Sequence, residues 1–405
     1  MTSSLFDLTA ALSTVRDAAK QLNTADQGSQ ALTAMGKALS QHQDDILEAN
    51  TLDLEISRDM AVPELVVDWL KLTPERVQTT AKIFQRLAST TPRSQAVMEI
   101  GKTDTLTRPV GIVGFIYEAF PDLSAIAAAL CIRTGNALVL RGGSEASRTN
   151  QIIADILRDA LQQSDLPAEL IFPLDPNHVS RLEMAQCQDI DLIIPHGRPT
   201  LVEQVVETAT VPVIPSRMGN CYLYWSASGN LDQVHKMIVS SHTGSPDAVN
   251  RIEKVLLHED LSENTVTRLW NRLREDGFTL KAEGAIAQQD GIQTAEPLDW
   301  GSAYLCKTVA FRQVKNTRAA ISWINTHSSG HADCIATAEY SKSRLFIANC
   351  RSASLYINRS PQFVRNTAHT HSIALGVSDR KGNTGGSIGM SCTRRWRCSR
   401  RGRCC

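Results

Sequence analysis

The chain has 405 residues, 42% hydrophobic and 21% charged, which is enough apolar material for two or three lobes with separate cores and excludes a disordered chain. Its 42 basic residues balance 42 acidic ones, so no bulk charge favours nucleic acid or an anionic membrane. No stretch approaches the roughly 18 apolar residues of a membrane span, and six of the ten cysteines are scattered as reduced thiols would be, so the expectation is a soluble, cytoplasmic protein.

In chain order, Leu5, Leu8, Leu12, Val15, Ala19 and Leu22 recur at helical spacing, interrupted by Asp7 and Asp17. No cleavage site follows, so the segment reads as an amphipathic helix on the protein's own core rather than a targeting peptide. The rest of the first hundred residues reads as helices, with a polar break over 23–29. From Arg108 the pattern alternates. Residues 110–116 form an apolar run of strand length, 124–131 a helix that is apolar on nearly every side, and 137–140 a second buried strand. Residues 152–163 follow as helix, 170–173 and 191–195 as strands, 199–209 as helix, then 211–214 and 221–224 as strands. A second series has helices over 231–241, 261–276 and 317–325, and strands over 253–258, 308–311 and 334–336. Such alternation predicts mainly parallel, doubly wound sheets in two α/β lobes, with a boundary near residue 230 and ligands at strand C-terminal ends.

After the strand at 137–140 come Arg141, Gly142, Gly143, Ser144 and Glu145. Glycines let backbone N–H groups approach an anion, and the following helix offers its positive end, so the turn suits a phosphate or ribose. Any strand-to-helix turn also tolerates two glycines, and this is not the dinucleotide GxGxxG pattern, so spacing alone leaves both readings open. No His, Cys or carboxylate cluster has metal-ligand spacing. The last 14 residues hold six arginines and four cysteines (Cys392, Cys398, Cys404, Cys405) with no acid, and those cysteines lack the paired spacing of a zinc site.

Seven blocks in order carry a resemblance: ILEANTLDLE (46–55), LKLTPERV (70–77), GFIYEAFPD (114–122), TGNALVLRGGSEA (134–146), DLIIPHGRP (191–199), VPVIPSRMGNCYLYW (211–225) and SSGHADCIAT (328–337). To about Met390 the chain resembles the γ-glutamyl phosphate reductases of the aldehyde dehydrogenase superfamily. The resemblance implies an aldehyde-dehydrogenase-like α/β fold. Residues 1–230 would hold the N-terminal helices and the NADP-binding lobe, and 231–355 the catalytic lobe. A hairpin over 97–108 and a return segment over 356–405 would serve oligomerisation as a dimer. It implies NADPH as cofactor, γ-glutamyl phosphate as substrate, glutamate 5-semialdehyde as product and a role in proline synthesis. It also implies an active site between the lobes, and glutamate 5-kinase or an active paralogue as protein partners.

In that family a cysteine thiolate attacks the acyl carbon and NADPH then delivers hydride. The cysteine position here is Val249, in the loop Pro246, Asp247, Ala248, Val249, Asn250, and a valine side chain has no lone pair to donate. Phe120 and Asp122 stand where the family has Arg and Asn. Cys221, Cys306 and Cys334 read as small core residues, and Ser245 with His242 lacks a positioned base. Without a thiol, an activated acyl phosphate could accept hydride directly in a dry, well-oriented cleft. The resemblance assigns Arg141, Gly142, Gly143, Ser144, Glu145 and Gly197 to the dinucleotide. Beside Gly197, His196 and Arg198 are read as pyrophosphate contacts or as solvent-facing. Asp122, His331 and Asp333 are substrate candidates, with a structural role open for the last two. After Met390 the family's apolar, Thr-rich strand pattern disappears, so 392–405 reads as a shifted reading frame or truncated terminus in preference to a basic tail. Two functions follow: an NADPH-dependent reductase, or a catalytically silent paralogue that binds nucleotide or assembles with an active reductase.

Overall fold

Helices α1 (Leu8–Ala19), α2 (Ala25–Gln41), α3 (Gln43–Asp59), α4 (Glu64–Leu70) and α5 (Pro74–Ser89) open a computed structural model that describes residues 7–22, 25–90, 105–244, 249–366, 373–377, 379, 388–389 and 393–397. Asp7, an interruption in the apolar spacing, is the N-cap of α1 and accepts from Ala10 N at 3.1 Å. α2 begins at Ala25, inside the stretch expected to be a break. Thr73 caps α5, and Pro74 takes its first position, where a missing N–H costs nothing.

The chain divides into two units. One comprises residues 1–216, 366–375 and 389–405, the other 217–365 and 376–388. In the first, β1 (Thr105–Pro109) runs antiparallel to Thr393–Arg397, in register from Thr105 with Arg397 to Pro109 with Thr393. Part of the arginine-rich end, where the strand pattern was expected to be lost, therefore forms a strand. Residues 97–104 of the expected hairpin lie outside the described residues.

β2 (Ile112–Tyr117), β3 (Ala137–Arg141), β4 (Ile171–Pro173) and β5 (Leu192–His196) form a parallel sheet in the order β4-β3-β2-β5. β2, β3 and β5 are buried throughout, as strands covered on both faces require. α6 (Pro121–Thr134) is buried along its whole length because it packs between the sheet and α2 and α5. Its alanines allow that close approach, and Gly135, at φ 75°, ends it in the left-handed conformation that glycine tolerates. Asn136 then accepts from Val110 N at 2.7 Å and Gly111 N at 2.9 Å, pinning the start of β2. α7 (Ser147–Gln162) is amphipathic and buries Ile153, Ile156, Leu157 and Leu161.

α8 (Arg181–Gln186) and α9 (Pro199–Thr208) flank β5 in the sequence. The segment 211–214 is not the expected strand. It makes isolated bridges, Val213 with Ile193 and Ser216 with His196, and Pro212 and Pro215 remove the N–H groups a ladder would need.

In the second unit, β6 (Cys221–Trp225), β7 (Ile252–His258), β8 (Thr279–Ala282), β9 (Gln293–Thr294), β10 (Thr308–Val314), β11 (Ala332–Ala336) and β12 (Ser354–Ile357) form a parallel sheet ordered β12-β11-β6-β7-β10-β8-β9. Because β6 pairs with β7 and β11, the first division falls after Ser216 rather than near 230. One face carries a core of Trp225, Val255, Trp270 and Phe311 with α10 (Leu231–Ser241) and α11 (Glu263–Glu275). The other packs Tyr222, Tyr224, Leu256, Ile324 and Phe346 with α12 (Thr317–His327) and α13 (Tyr340–Asn349). The sequence reading did not foresee α13, β8, β9 or β12.

Candidate functional site

At the C-terminal ends of β3 and β4 the first unit opens into a cavity of about 530 Å³. Its walls are the turn at Gly142 and Gly143, residues 173–177, and the face of α7 from Ser147 to Asp155. That volume lies in the range of small-molecule sites. A side chain on this turn would displace its neighbours. A Cβ on Gly142 would stand 2.3 Å from Asn150 Nδ2 and 2.9 Å from the Tyr117 hydroxyl. A Cβ on Gly143 would meet Glu145 Oε1 at 2.0 Å, because the Glu145 carboxylate folds over it and accepts from Ala119 N at 2.7 Å. Asn150 Oδ1 is buried with no hydrogen-bond partner among the described residues, which leaves an acceptor for a ligand's donor.

Arg141 is not at the ligand's disposal. Its buried guanidinium donates from Nε to Val179 O at 2.7 Å, from Nη2 to Pro176 O at 3.4 Å, and from Nη1 to Gly142 O. It thereby ties the turn to the loop that forms the opposite wall. The first amides of α7 are spent as well. The buried Asp53 carboxylate, from α3, accepts from Thr149 N at 2.8 Å, Thr149 Oγ1 at 2.7 Å and Arg148 N at 3.3 Å. The helix end expected to receive phosphate is therefore neutralised by the protein's own carboxylate. Ser144 is exposed, and so is Arg148.

After β5, Gly197 has φ 151°, and a Cβ there would meet Glu118 Cβ at 3.0 Å. Glu118 is buried and accepts from Arg198 Nε at 3.0 Å, Nη2 at 2.6 Å and backbone N at 3.2 Å. Burial alone would push this carboxyl up, but the Arg198 hydrogen bonds and charge outweigh it and hold its pKa below the ordinary value. His196 neither faces solvent nor lies open to pyrophosphate. It is fully buried, with Nδ1 2.8 Å from Ser216 Oγ and its ring edge-on to Phe120. Asp122, in the first turn of α6, pairs with Arg76, whose Nε reaches Oδ2 at 3.3 Å and whose Nη2 donates to Oδ1.

In the second unit Val249 is 1% exposed, and its carbonyl fixes the local packing. A Cβ on Gly219 would lie 1.9 Å from Val249 O, so the two backbones touch, and Cys221 Sγ lies 3.9 Å from the same oxygen. Burial raises the Cys221 thiol well above its ordinary pKa, so it stays protonated and is no substitute nucleophile. Asn250 Nδ2 donates to Pro361 O at 3.0 Å. His242 is half-buried rather than solvated. Its Nε2 is 3.0 Å from Ile252 O, its ring stands edge-on to Phe278, and desolvation pushes its pKa down to about 4. Ser245 lies outside the described residues.

Asp333 is fully buried, accepting from Tyr222 N at 2.7 Å and Ser328 Oγ at 2.7 Å, and also from Ser352 Oγ. His331, also buried, has Nδ1 2.8 Å from Ser329 Oγ. Beside them Glu253 accepts from Tyr304 N at 2.5 Å and Leu305 N at 2.9 Å. Lys254 Nζ lies 3.6 Å from Glu253 and 3.6 Å from the Tyr304 ring centroid. Desolvation pushes Lys254 down to about 8 against the opposing pull of Glu253.

Residues 4–280 match the family model described as the aldehyde dehydrogenase family. The γ-glutamyl phosphate reductase 2 of Synechocystis is 44% identical over 372 residues, 89% of each chain. The chain belongs to the aldehyde dehydrogenase family. A γ-glutamyl phosphate reductase of Lactiplantibacillus plantarum is 33% identical over 91% of both chains. The crystal structure of γ-glutamyl phosphate reductase from Thermotoga maritima superposes with a TM-score of 0.85 at 27% identity, covering 96% of this chain and 97% of that one. A glyceraldehyde-3-phosphate dehydrogenase from Methanocaldococcus jannaschii, complexed with NADP, shares the fold with a TM-score of 0.71 at 15% identity, over 96% and 92% of the two chains.

As an aldehyde dehydrogenase family member the chain belongs to enzymes that use nicotinamide cofactors. Of the residues expected at the dinucleotide, Gly142 and Gly143 line the cavity, whereas Arg141 and Glu145 are bonded into the loops around it. The sequence reading passed over Arg148, Asn150 and Tyr117, which line the cavity, and Asp53, which holds the start of α7. Only Arg148 carried a usable signal, a cation at the second position of a helix that follows a glycine turn. No helix among the described residues is long and apolar enough to cross a membrane.

Proposed function

We propose that this chain catalyses the NADPH-dependent reduction of γ-glutamyl phosphate to glutamate 5-semialdehyde and phosphate, in cytoplasmic proline synthesis. The observation that carries the reading is the Synechocystis relative named for that activity, which aligns along nearly nine tenths of the chain. The cavity supports it, because its residues fit the adenosine portion of a dinucleotide: a bare glycine turn, an orphaned Asn150 acceptor and room for a nucleoside. Bound NADPH would supply the hydride.

The chain's own part is orientation and exclusion of water. Gly142, Gly143 and Asn150 would hold the cofactor, with Arg141, Glu145 and Asp53 keeping that wall in place and the Gly197 turn, fixed by Glu118 and Arg198, contributing a second backbone approach. Asp122 and Asp333 act as frame residues rather than substrate ligands, since their carboxylates are engaged by Arg76 and by strand and loop donors, while His331 meets Ser329 through Nδ1. With a hydrocarbon at Val249, the chain offers no thiol there to form an acyl intermediate. The acyl phosphate, already activated, reacts within the oriented cleft. A homodimer is the working assembly, with glutamate 5-kinase the natural source of so labile a substrate.

The test is phosphate-dependent NADP reduction with glutamate semialdehyde, run on wild type and Val249→Cys. The proposal expects measurable wild-type turnover, faster in the Val249→Cys protein, whose new thiol also becomes sensitive to an alkylating reagent. An inert wild type beside an active Val249→Cys protein would overturn it in favour of a silent paralogue.

A further inference from the structure

We infer that Arg148 is the residue by which this chain selects the 2′-phosphate of NADP(H) over the 2′-hydroxyl of NAD(H). The inference rests on the dinucleotide reading of the cavity and adds to it the residue that sets cofactor choice. A 2′-phosphate brings close to two negative charges to the mouth of an adenosine site, and a cation with free donors has to meet them.

Two sources of positive charge at the Gly142 turn and the start of α7 are already spent. The Arg141 guanidinium donates to the carbonyls of Val179, Pro176 and Gly142. The N-terminal amides of α7 are taken by Asp53, which adds a buried negative charge at the helix end instead of leaving a positive one. A third source is Arg148, the single cation among the described residues that line the cavity. Its side chain is exposed and makes no hydrogen bond or ion pair among the described residues, while its backbone N is fixed by Asp53 at 3.3 Å. The stem is thus anchored and the guanidinium free.

The cavity's acids define where the phosphate can go. Asp155 is occupied by Gln151 Nε2, at 2.9 and 3.0 Å, with Arg158 Nη1 3.9 Å away, and Asp175 by Asn177 N at 2.8 Å, with His178 3.6 Å away. Both carboxylates repel an anion from the far walls. The end near Ser144, Ser147 and Arg148 is left as the electrostatically acceptable place. Without Arg148, Asp53 would dominate that end, and the site would favour a neutral ribose.

The experiment is titration of NADPH and NADH, separately, into wild type, Arg148→Ala and Arg148→Lys at fixed ionic strength, read as dissociation constants by fluorescence. Thermal melts of each variant show whether it is folded. The expected result is that Arg148→Ala weakens NADPH at least tenfold and changes NADH less than twofold, with Arg148→Lys in between. Equal weakening of both dinucleotides, or no change in either, would overturn the inference while leaving the cavity a nucleotide site. Failure of wild type to bind either dinucleotide would instead bring down the nucleotide reading itself, and this inference with it.

Discussion

The cavity beside Gly142 and the surroundings of Val249 make opposite use of similar raw material. Both contain closely packed glycines, buried carboxylates and cations. At the cavity the carboxylates and Arg141 are spent on walls, and what remains unspent, Asn150 Oδ1 and the Arg148 guanidinium, belongs to a space a ligand can enter. Around Val249 the comparable groups are closed on one another: Asp333 on Tyr222, Ser328 and Ser352, and Glu253 on Tyr304, Leu305 and Lys254. Polar residues mark a binding site where their donors or acceptors are left over. Where a buried carboxylate is held by several donors, as Asp333 is, it marks a frame, although beside Val249 the Asn250 Oδ1 is also buried without a partner among the described residues.

The sharpest way to break this contrast is Asp333→Ala. It strips three donors of a buried charged acceptor and should cost about 4 kcal/mol in chemical denaturation. NADPH affinity of the folded fraction should stay within twofold, and a larger loss of affinity would show that Asp333 is more than frame. Next comes acid. His242 sits at about 4 when folded against 6.5 for the free side chain, so between those values the unfolded chain binds the extra proton. Its contribution is intact above pH 6.5 and is lost as pH falls toward 4, on the order of 3 kcal/mol. His242→Phe should flatten that part of the stability profile, and an unchanged profile would refute the assignment.

Asp53→Ala addresses the cavity side. Losing the cap on α7 should cost about 2 kcal/mol, and here, unlike Asp333→Ala, NADPH affinity should fall several-fold because the cavity wall loosens. Smallest is Lys20→Ala, which removes an exposed i,i+3 pair with Asp17 at 2.7 Å. Stability should move by no more than about 0.5 kcal/mol, with no effect on binding.

Much of the fold was legible because burial leaves a pattern. β3 and β5 read as continuous apolar runs, α6 as apolar all round, and α10 was readable from end to end. The segment 211–214 misled because its apolar residues are interleaved with prolines that cannot donate to a ladder. β9, two exposed residues long, has no periodicity to detect. For the site, the glycine turn was visible as a motif, but the role of its neighbour Arg141 was not. A guanidinium beside a glycine turn looks the same in sequence whether it awaits a phosphate or is consumed by the carbonyls of Val179 and Pro176.

The sequence by itself determined the parallel α/β architecture, the bare turn at Gly142 and Gly143, and the hydrocarbon at Val249, because periodicity, glycine and side-chain chemistry are local properties. Tertiary structure alone decided which polar groups remain free. Asp53 lies 96 positions from the Thr149 amide it caps, and Asp333 lies 111 from the Tyr222 amide it holds. Whether a charge is spent or available depends on partners that only the folded chain brings within hydrogen-bonding distance.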